Sequence, residues 1–358
     1  MREPVSSDQN VSGQDAFFAE VVESFYLETL DGLFFAVKGL EHPPDRRIAV
    51  LRYVPDGTTG GRRKADTFYR RLYHFDEQER LIRSTYPQYL AYDPVFQTTL
   101  QSVPLSMVRK VYDPRLRYVE LAESGARTEI EDDAAAFLNF LQCEARVAPS
   151  ALGITGSLLT GLYTEKSDLD VAVFGTENCR KVYAALAAIL DAPPVAELRR
   201  LDAAGMEELF EQRSADTRMD HDAFLALEKR KVNQGLFRKR PYFVRFIQET
   251  RECKQAYGCL RYTPRGRAVI TASIADDRES IFTPCRYALS GVRILEGPPL
   301  SDLCDITSFR GRFCEQARTG ETVRASGTLE RIENDRGEIR HRLLLGNTAE
   351  DGMSVIAV

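Results

Sequence analysis

The stretch LGITGSLLTGLYTEKSDLDVAVFG, residues 152–175, is the part of the chain whose reading decides the fold. It opens on a short apolar run, passes a Gly-Ser pair at 156–157 and a helical turn, and crosses a polar loop. Ser167-Asp168-Leu169-Asp170 then leads into the apolar run Val171-Ala172-Val173-Phe174, which reads as a strand bounded by Gly175. Side chains alternate along a strand, so Asp168 and Asp170 share one face while Leu169 points into the core. Gly156 and Ser157 fall where a strand hands over to a helix, and N–H groups at a helix start can face a phosphate. Two carboxylates about 7 Å apart beside such a turn can hold a divalent cation against a triphosphate.

Composition narrows the options further. A chain of 358 residues is long enough for two or three domains, and 43% hydrophobic with 28% charged content is that of a soluble globular protein. A net charge of −5 argues against a protein that coats nucleic acid over its whole surface, while leaving room for a local basic groove. No apolar run approaches the roughly 20 residues that a membrane span needs. The polar N-terminus MREPVSSDQNVSGQD lacks the apolar core of a secretion signal. A cytoplasmic protein with no membrane partner is expected. Seven cysteines (143, 179, 253, 259, 285, 304 and 314) form no C-x-x-C pair, and the four histidines are scattered. Zinc centres, disulfide frameworks and catalytic triads are therefore disfavoured. No Walker-type or GxGxxG loop occurs, so neither an ATPase nor a dehydrogenase is supported.

Gly156-Ser157, ten intervening residues and Asp168-x-Asp170, set among apolar residues, resemble the signature of the polymerase-beta-like nucleotidyltransferase superfamily. The resemblance implies a mixed sheet with helices in which Gly156 and Ser157, with Lys166 and Ser167 beside them, bind a nucleoside triphosphate. Asp168 and Asp170 would be the catalytic pair and ligate Mg²⁺ or Mn²⁺. The nucleoside monophosphate would pass to an acceptor hydroxyl, with RNA as a candidate acceptor. The chain departs from the family at one point. Many members place a third carboxylate on a later strand, where this chain has Tyr242-Phe243-Val244-Arg245-Phe246-Ile247 and no acid. That acid often serves as general base, so a second reading stays open: a catalytically impaired nucleotide- or RNA-binding regulatory protein on the same fold. A third is an antitoxin-like enzyme that modifies a partner protein.

The flanks complete an α+β expectation. Residues 1–14 read as a disordered tail and 15–125 as an α+β N-terminal domain. Residues 126–252 read as the nucleotidyltransferase domain and 253–358 as a β-rich domain forming a small barrel, OB-like in its strand number. Within the first, residues 15–30 carry apolar residues at helical spacing, as an amphipathic helix or an extended lead-in. LFFAVKGL and IAVLRYVP read as a hairpin, 87–104 as loops, and a helix is expected from about Pro104. Asp132–Cys143 and the stretch after Gly175 read as helices, as do 203–213 and 220–231. TSFRGRFCEQAR reads as a helix carrying Arg310, Arg312 and Arg318. The segment Lys229–Arg245 holds seven basic residues and no acid, and Lys231, Arg238, Arg240 and Arg245 are candidate phosphate or RNA contacts.

Overall fold

The computed structural model describes residues 18–57, 60–192, 197–214, 219–253 and 256–357. The expected tail, 1–14, lies outside the described residues. The first sheet is built from β1 (Tyr26–Thr29), β2 (Phe34–Val37), β3 (Arg46–Pro55), β4 (Arg62–Lys64) and β5 (Thr67–Arg71). Helix α1 (Phe75–Thr85) follows, and then β6 (Leu90–Asp93), β7 (Thr98–Pro104) and β8 (Val108–Tyr112). The strands run in the order β4-β5-β3-β2-β1-β8, with the β6–β7 hairpin attached through β3.

Two expectations fail in this region, and the one left open for 15–30 takes its extended form at 26–29. Residues 26–29 form a strand because Tyr26–Glu28 pairs with Phe34–Ala36 on one side and with β8 on the other. The stretch 90–104 forms a hairpin, its turn closed by Asp93 Oδ1 accepting from Val95 and Phe96 N–H. After Pro104 one short turn, Leu105–Met107, gives way to β8, whose Val108-Arg-Lys-Val-Tyr run suits pairing with β1.

The central sheet follows. Helix α2 (Pro114–Glu123) starts at Asp113, which accepts from Arg115 N–H at 2.8 Å, with proline in the first turn. Helix α3 (Glu129–Ala145) starts on a Thr128/Glu131 capping box and stops where Arg146 turns left-handed at φ 52°. Then come β9 (Leu152–Ile154), the five-residue α4 (Gly156–Thr160), β10 (Leu169–Phe174) and α5 (Thr176–Asp191). The short β11 (Leu198–Arg199), α6 (Ala203–Ser214), α7 (His221–Glu228), β12 (Gln234–Phe237) and β13 (Arg240–Ile247) complete it. The order is β11-β12-β13-β10-β9, with β10 and β13 parallel and the other pairs antiparallel.

The last unit comprises β14 (Leu260–Asp276), β15 (Cys285–Glu296), β16 (Leu303–Ser308), β17 (Thr322–Asn334), β18 (Ile339–Leu345) and β19 (Gly352–Ala357). Pairings run β14–β15–β16–β18–β17 and back to β14, with β16 parallel to β18 and β19 added beside β17. This ring closes a small OB-like barrel. The stretch 307–318 is not a helix. It leaves β16, makes one short turn at Gly311–Phe313, and passes Glu315 at φ 56°. Its anchor is the Glu315 carboxylate, which accepts from Val232 and Asn233 N–H at 2.9 Å and from the Tyr183 hydroxyl at 3.0 Å. These bonds replace intrahelical ones, so Arg310, Arg312 and Arg318 lie along a docked loop.

Close approach at β9 ties α2 to the central sheet. A Cβ on Gly153 would sit 2.7 Å from Pro114 Cβ and 2.8 Å from its carbonyl carbon. Gly153→Ala is expected to destabilise the chain by about 1–3 kcal/mol, measured by denaturant unfolding. An unchanged midpoint would contradict this contact.

Candidate functional site

β10 divides its side chains between two cores. Leu169, Val171 and Val173 join Phe137, Leu138, Val182 and Leu186 of the helical layer. Ala172 and Phe174 face the other way, into a core shared with Phe25, Phe35 and Leu51 of the N-terminal sheet. Phe174 meets Phe25 edge-on at 6.5 Å between centroids. By alternation Asp168 and Asp170 belong to this second face, so the N-terminal sheet lies over the side that carries the carboxylates.

Asp170 is packed against the Gly-Ser turn. Thr155 N–H donates to the Asp170 carbonyl at 2.9 Å. Gly156 has φ +64°, and a Cβ there would overlap Asp170 Oδ2 at 2.3 Å. Only glycine tolerates both conditions. The Thr155 hydroxyl donates to the Ser24 carbonyl at 2.7 Å, so β1's lead-in is fastened to the same turn. Gly156 and Ser157 are buried where the N-terminal sheet crosses the short helix. Lys64 Nζ and Arg62 Nη1 reach across to the Thr160 and Leu162 carbonyls.

Neither the Asp168 nor the Asp170 side chain has a hydrogen bond or ion pair among the described residues, and both residues are half-buried. Burial first and the Asp168 charge second push Asp170 up to about 6, against the pull of Arg245, Arg71 and Arg52. Those three cations are also half-buried. Arg245 stands on β13 beside Ala172, with Phe243 beside Asp170. Arg52 and Arg71 come from β3 and β5. Lys38, just past β2, pairs with the buried Glu23 at 2.6 Å. Burial lowers the Lys38 ammonium to about 8, with Glu23 opposing and Arg245 and Arg52 reinforcing the shift.

Among the expected site residues, the structure brings together Gly156, Ser157, Asp168, Asp170 and Arg245. Ser167 is buried, its Oγ accepting from Thr164 N–H at 3.0 Å, and so shapes the loop before the acids. Lys166 is exposed on that loop. The remaining basic residues lie elsewhere. Lys231 is buried, with Nζ 2.8 Å from Glu228 and donating to the Arg312 carbonyl at 2.7 Å. Arg238 and Arg240 share Asp133, at 3.1 and 3.0 Å. Acids distant in sequence have paired with Arg230, Arg238 and Arg240 of the basic stretch, and the nearby Glu228 with Lys231. Lys38, Arg52 and Arg71 were not expected here. Their one signal was a lone arginine in the apolar strand run IAVLRYV.

Residues 138–251 match the family model described as the nucleotidyltransferase domain. The chain is also similar, at 26% identity over 332 residues, to an uncharacterized protein of Methanocaldococcus jannaschii, across 91% of this chain and 95% of that protein. That alignment runs beyond the matched domain into both flanking sheets. No solved structure matches the chain.

The raised Asp170 carries a consequence for stability. An unfolded aspartate ionises near 4, whereas the folded one holds its proton until about 6. The folded state therefore bears the cost of the buried charge above pH 6, and that cost vanishes below pH 4. Asp170→Asn is expected to raise the thermal midpoint of the metal-free protein at pH 8 and to change it little at pH 4. Equal shifts at both pH values would show that the carboxylate charge is not opposed by its surroundings.

Proposed function

We propose, from the premise that residues 138–251 form a nucleotidyltransferase domain, that the protein moves a nucleoside monophosphate from a nucleoside triphosphate to an acceptor hydroxyl. The observation that carries this reading is the Asp170 carboxylate pressed against the Gly156 turn, with Asp168 two residues before it and neither side chain hydrogen-bonded or ion-paired among the described residues. The donor set fits one divalent cation. The cost of the Asp170 charge, set by burial and by the neighbouring Asp168, is relieved by such an ion, and Mg²⁺ is commonly held by one or two carboxylates plus substrate phosphates. No group of three His, Cys, Asp or Glu residues suited to a metal occurs among the described residues, so further ligands would come from substrate and water.

In this mechanism Asp168 and Asp170 hold Mg²⁺ or Mn²⁺, which when bound neutralises charge on the phosphates and on the departing pyrophosphate. Gly156 and Ser157 set the nucleotide's phosphates against Asp170. Ser167 keeps the loop folded so that Asp168 meets the same face as Asp170, and Lys166 lies at its open edge. Covering by the N-terminal sheet excludes bulk water from the carboxylate face, which strengthens every charge interaction there. The acceptor oxygen attacks the α-phosphorus, the bond to the β-phosphate oxygen breaks, and the acceptor's proton leaves to solvent or a substrate oxygen. The OB-like barrel favours RNA as acceptor, an architecture often used for single strands. The basic stretch adds nothing to that argument, since Lys231, Arg238 and Arg240 are already paired.

One observation favours a second reading, a nucleotide- or RNA-binding protein without transfer. Phe243 and Arg245 occupy the β13 positions beside the carboxylates, where a third acid would complete the site. Incubation with α-labelled nucleoside triphosphates, Mg²⁺ or Mn²⁺ and RNA separates the two. Label incorporation that is abolished in Asp168→Asn and Asp170→Asn, with unchanged circular dichroism, is expected. Transfer by both variants at the parent's level would refute the assignment, and salt-sensitive RNA binding without incorporation would favour the second reading.

A further inference from the structure

The N-terminal sheet brings Lys38, Arg52 and Arg71, all outside residues 138–251, into the electrostatic surroundings of Asp170 and of Arg245 on β13. Arg52 is there because β3 carries a bulge. Phe34 pairs with Tyr53 and Phe35 with Leu51, which leaves Arg52 without a partner on β2. Such an extra residue bends the strand and re-aims a side chain. Leu51 N–H donates to Gln101 Oε1 at 3.0 Å, and the Arg52 carbonyl accepts from Leu72 N–H at 2.9 Å, so the irregular stretch is held on both sides. Arg71, the last residue of β5, lies across from Tyr53. Its guanidinium is 4.7 Å from the Tyr73 ring centroid. The Arg245 guanidinium is 5.1 Å from the Phe243 ring.

These cations share one electrostatic neighbourhood. Burial lowers Arg52, and Arg71 and Arg245 reinforce it. Arg71 is raised by Tyr53 and Tyr73 and by both Asp168 and Asp170, which outweigh its burial. Arg245 is raised by Asp170 and Glu23, again against burial. None of the three arginines has a hydrogen bond or ion pair with a carboxylate among the described residues. The barrel closes a further side. Phe309 packs on Gly39, where a Cβ would stand 3.0 Å from its ring, and Gly311 lies against Phe243 and Arg245 Nη1.

We infer that Arg52, Arg71 and Arg245 form a polyphosphate clamp, so that the N-terminal sheet adds two cations to a site whose carboxylates and third arginine come from the central sheet. Like charges gathered in a half-buried place without hydrogen-bonded counter-ions are costly to hold. A bound polyanion removes that cost, and guanidinium forks match phosphate oxygens in geometry. The Lys38–Glu23 pair is neutral as a unit, and three arginines outnumber the two carboxylates, so the cleft attracts an anion before any metal arrives. Within the proposed reaction, on which this assignment to nucleotide rests, the clamp holds the β- and γ-phosphates and takes up the charge of the leaving pyrophosphate.

The test is metal-free binding of inorganic tripolyphosphate to the full chain in a chelator, by titration calorimetry. The parent is expected to bind. Arg52→Gln, Arg71→Gln and Arg245→Gln should each weaken binding by about tenfold or more, the effect of one charge-assisted hydrogen bond. Arg52→Lys should recover part of the loss, and it is the variant to compare if the glutamine variant misfolds. Arg240→Gln, whose partner Asp133 lies elsewhere, should leave binding unchanged. Asp168→Asn with Asp170→Asn should leave it unchanged or tighten it. A parent that does not bind, or arginine variants that bind as the parent does, would overturn the clamp even if label transfer were intact. Binding that follows the pattern above with no transfer from any nucleotide would instead overturn the reaction and leave the clamp standing.

Discussion

Two negative charges at the start of β10, Asp168 just before it and Asp170 within it, organise this molecule. The alternation that sends Leu169, Val171 and Val173 into the helical core leaves Asp168 and Asp170 side by side. The turn before α4 has no side chain at Gly156 with which to keep its distance. Their repulsion, added to burial, holds the Asp170 proton to about 6. An arrangement of this kind weakens the fold unless something positive is gained by it, and the surroundings are built to meet that requirement. Arginines arrive from three strands of two sheets, yet among the described residues none closes a salt bridge that would cancel the pair.

The three sheets thus have distinct physical tasks. The central one provides a rigid parallel pair, β10 and β13, on which the acids and Arg245 are in register. The N-terminal sheet contributes both cover and charge, its Phe25 and Phe35 filling the apolar part of the shared core while Arg52 and Arg71 act on the Asp170 carboxylate. The barrel is fixed to the central sheet by buried polar contacts. Glu315 receives two backbone N–H groups, and Arg230 binds Glu321. Burial raises Glu315, which stays useful as an acceptor because those N–H groups and the Tyr183 hydroxyl oppose the shift. Its loop in turn brings Phe309 and Gly311 to the rim of the cleft.

Much of the central sheet could be read from local pattern. The period-two alternation of 168–174 identifies the face of the acids, and the acidic start of α3 marks that helix. The run after Gly175 stands out as α5 because its apolar residues recur at helical spacing. Strand number in the last unit and a small barrel were legible, but the pairing that closes it was not, because the parallel pairing of β16 with β18 involves residues far apart in the chain. The same limit explains the misread segments. Residues 307–318 have helical composition, yet Glu315 gains more by capping Val232 and Asn233. The basic stretch looked like a nucleic-acid contact until Asp133 and Glu321 came in from distant parts of the chain to pair with Arg238, Arg240 and Arg230. Arg52 is the opposite case. Its role depends on a bulge created by the register of β2 against β3, which no local pattern reveals.

The most direct test of the account is anomalous diffraction at the manganese edge from crystals grown with Mn²⁺ and a non-hydrolysable nucleoside triphosphate. The account predicts a manganese peak shared by the Asp168 and Asp170 carboxylates, with the triphosphate running from it toward Arg52 and Arg71. A nucleotide bound away from β10, with both carboxylates free of metal, would contradict it.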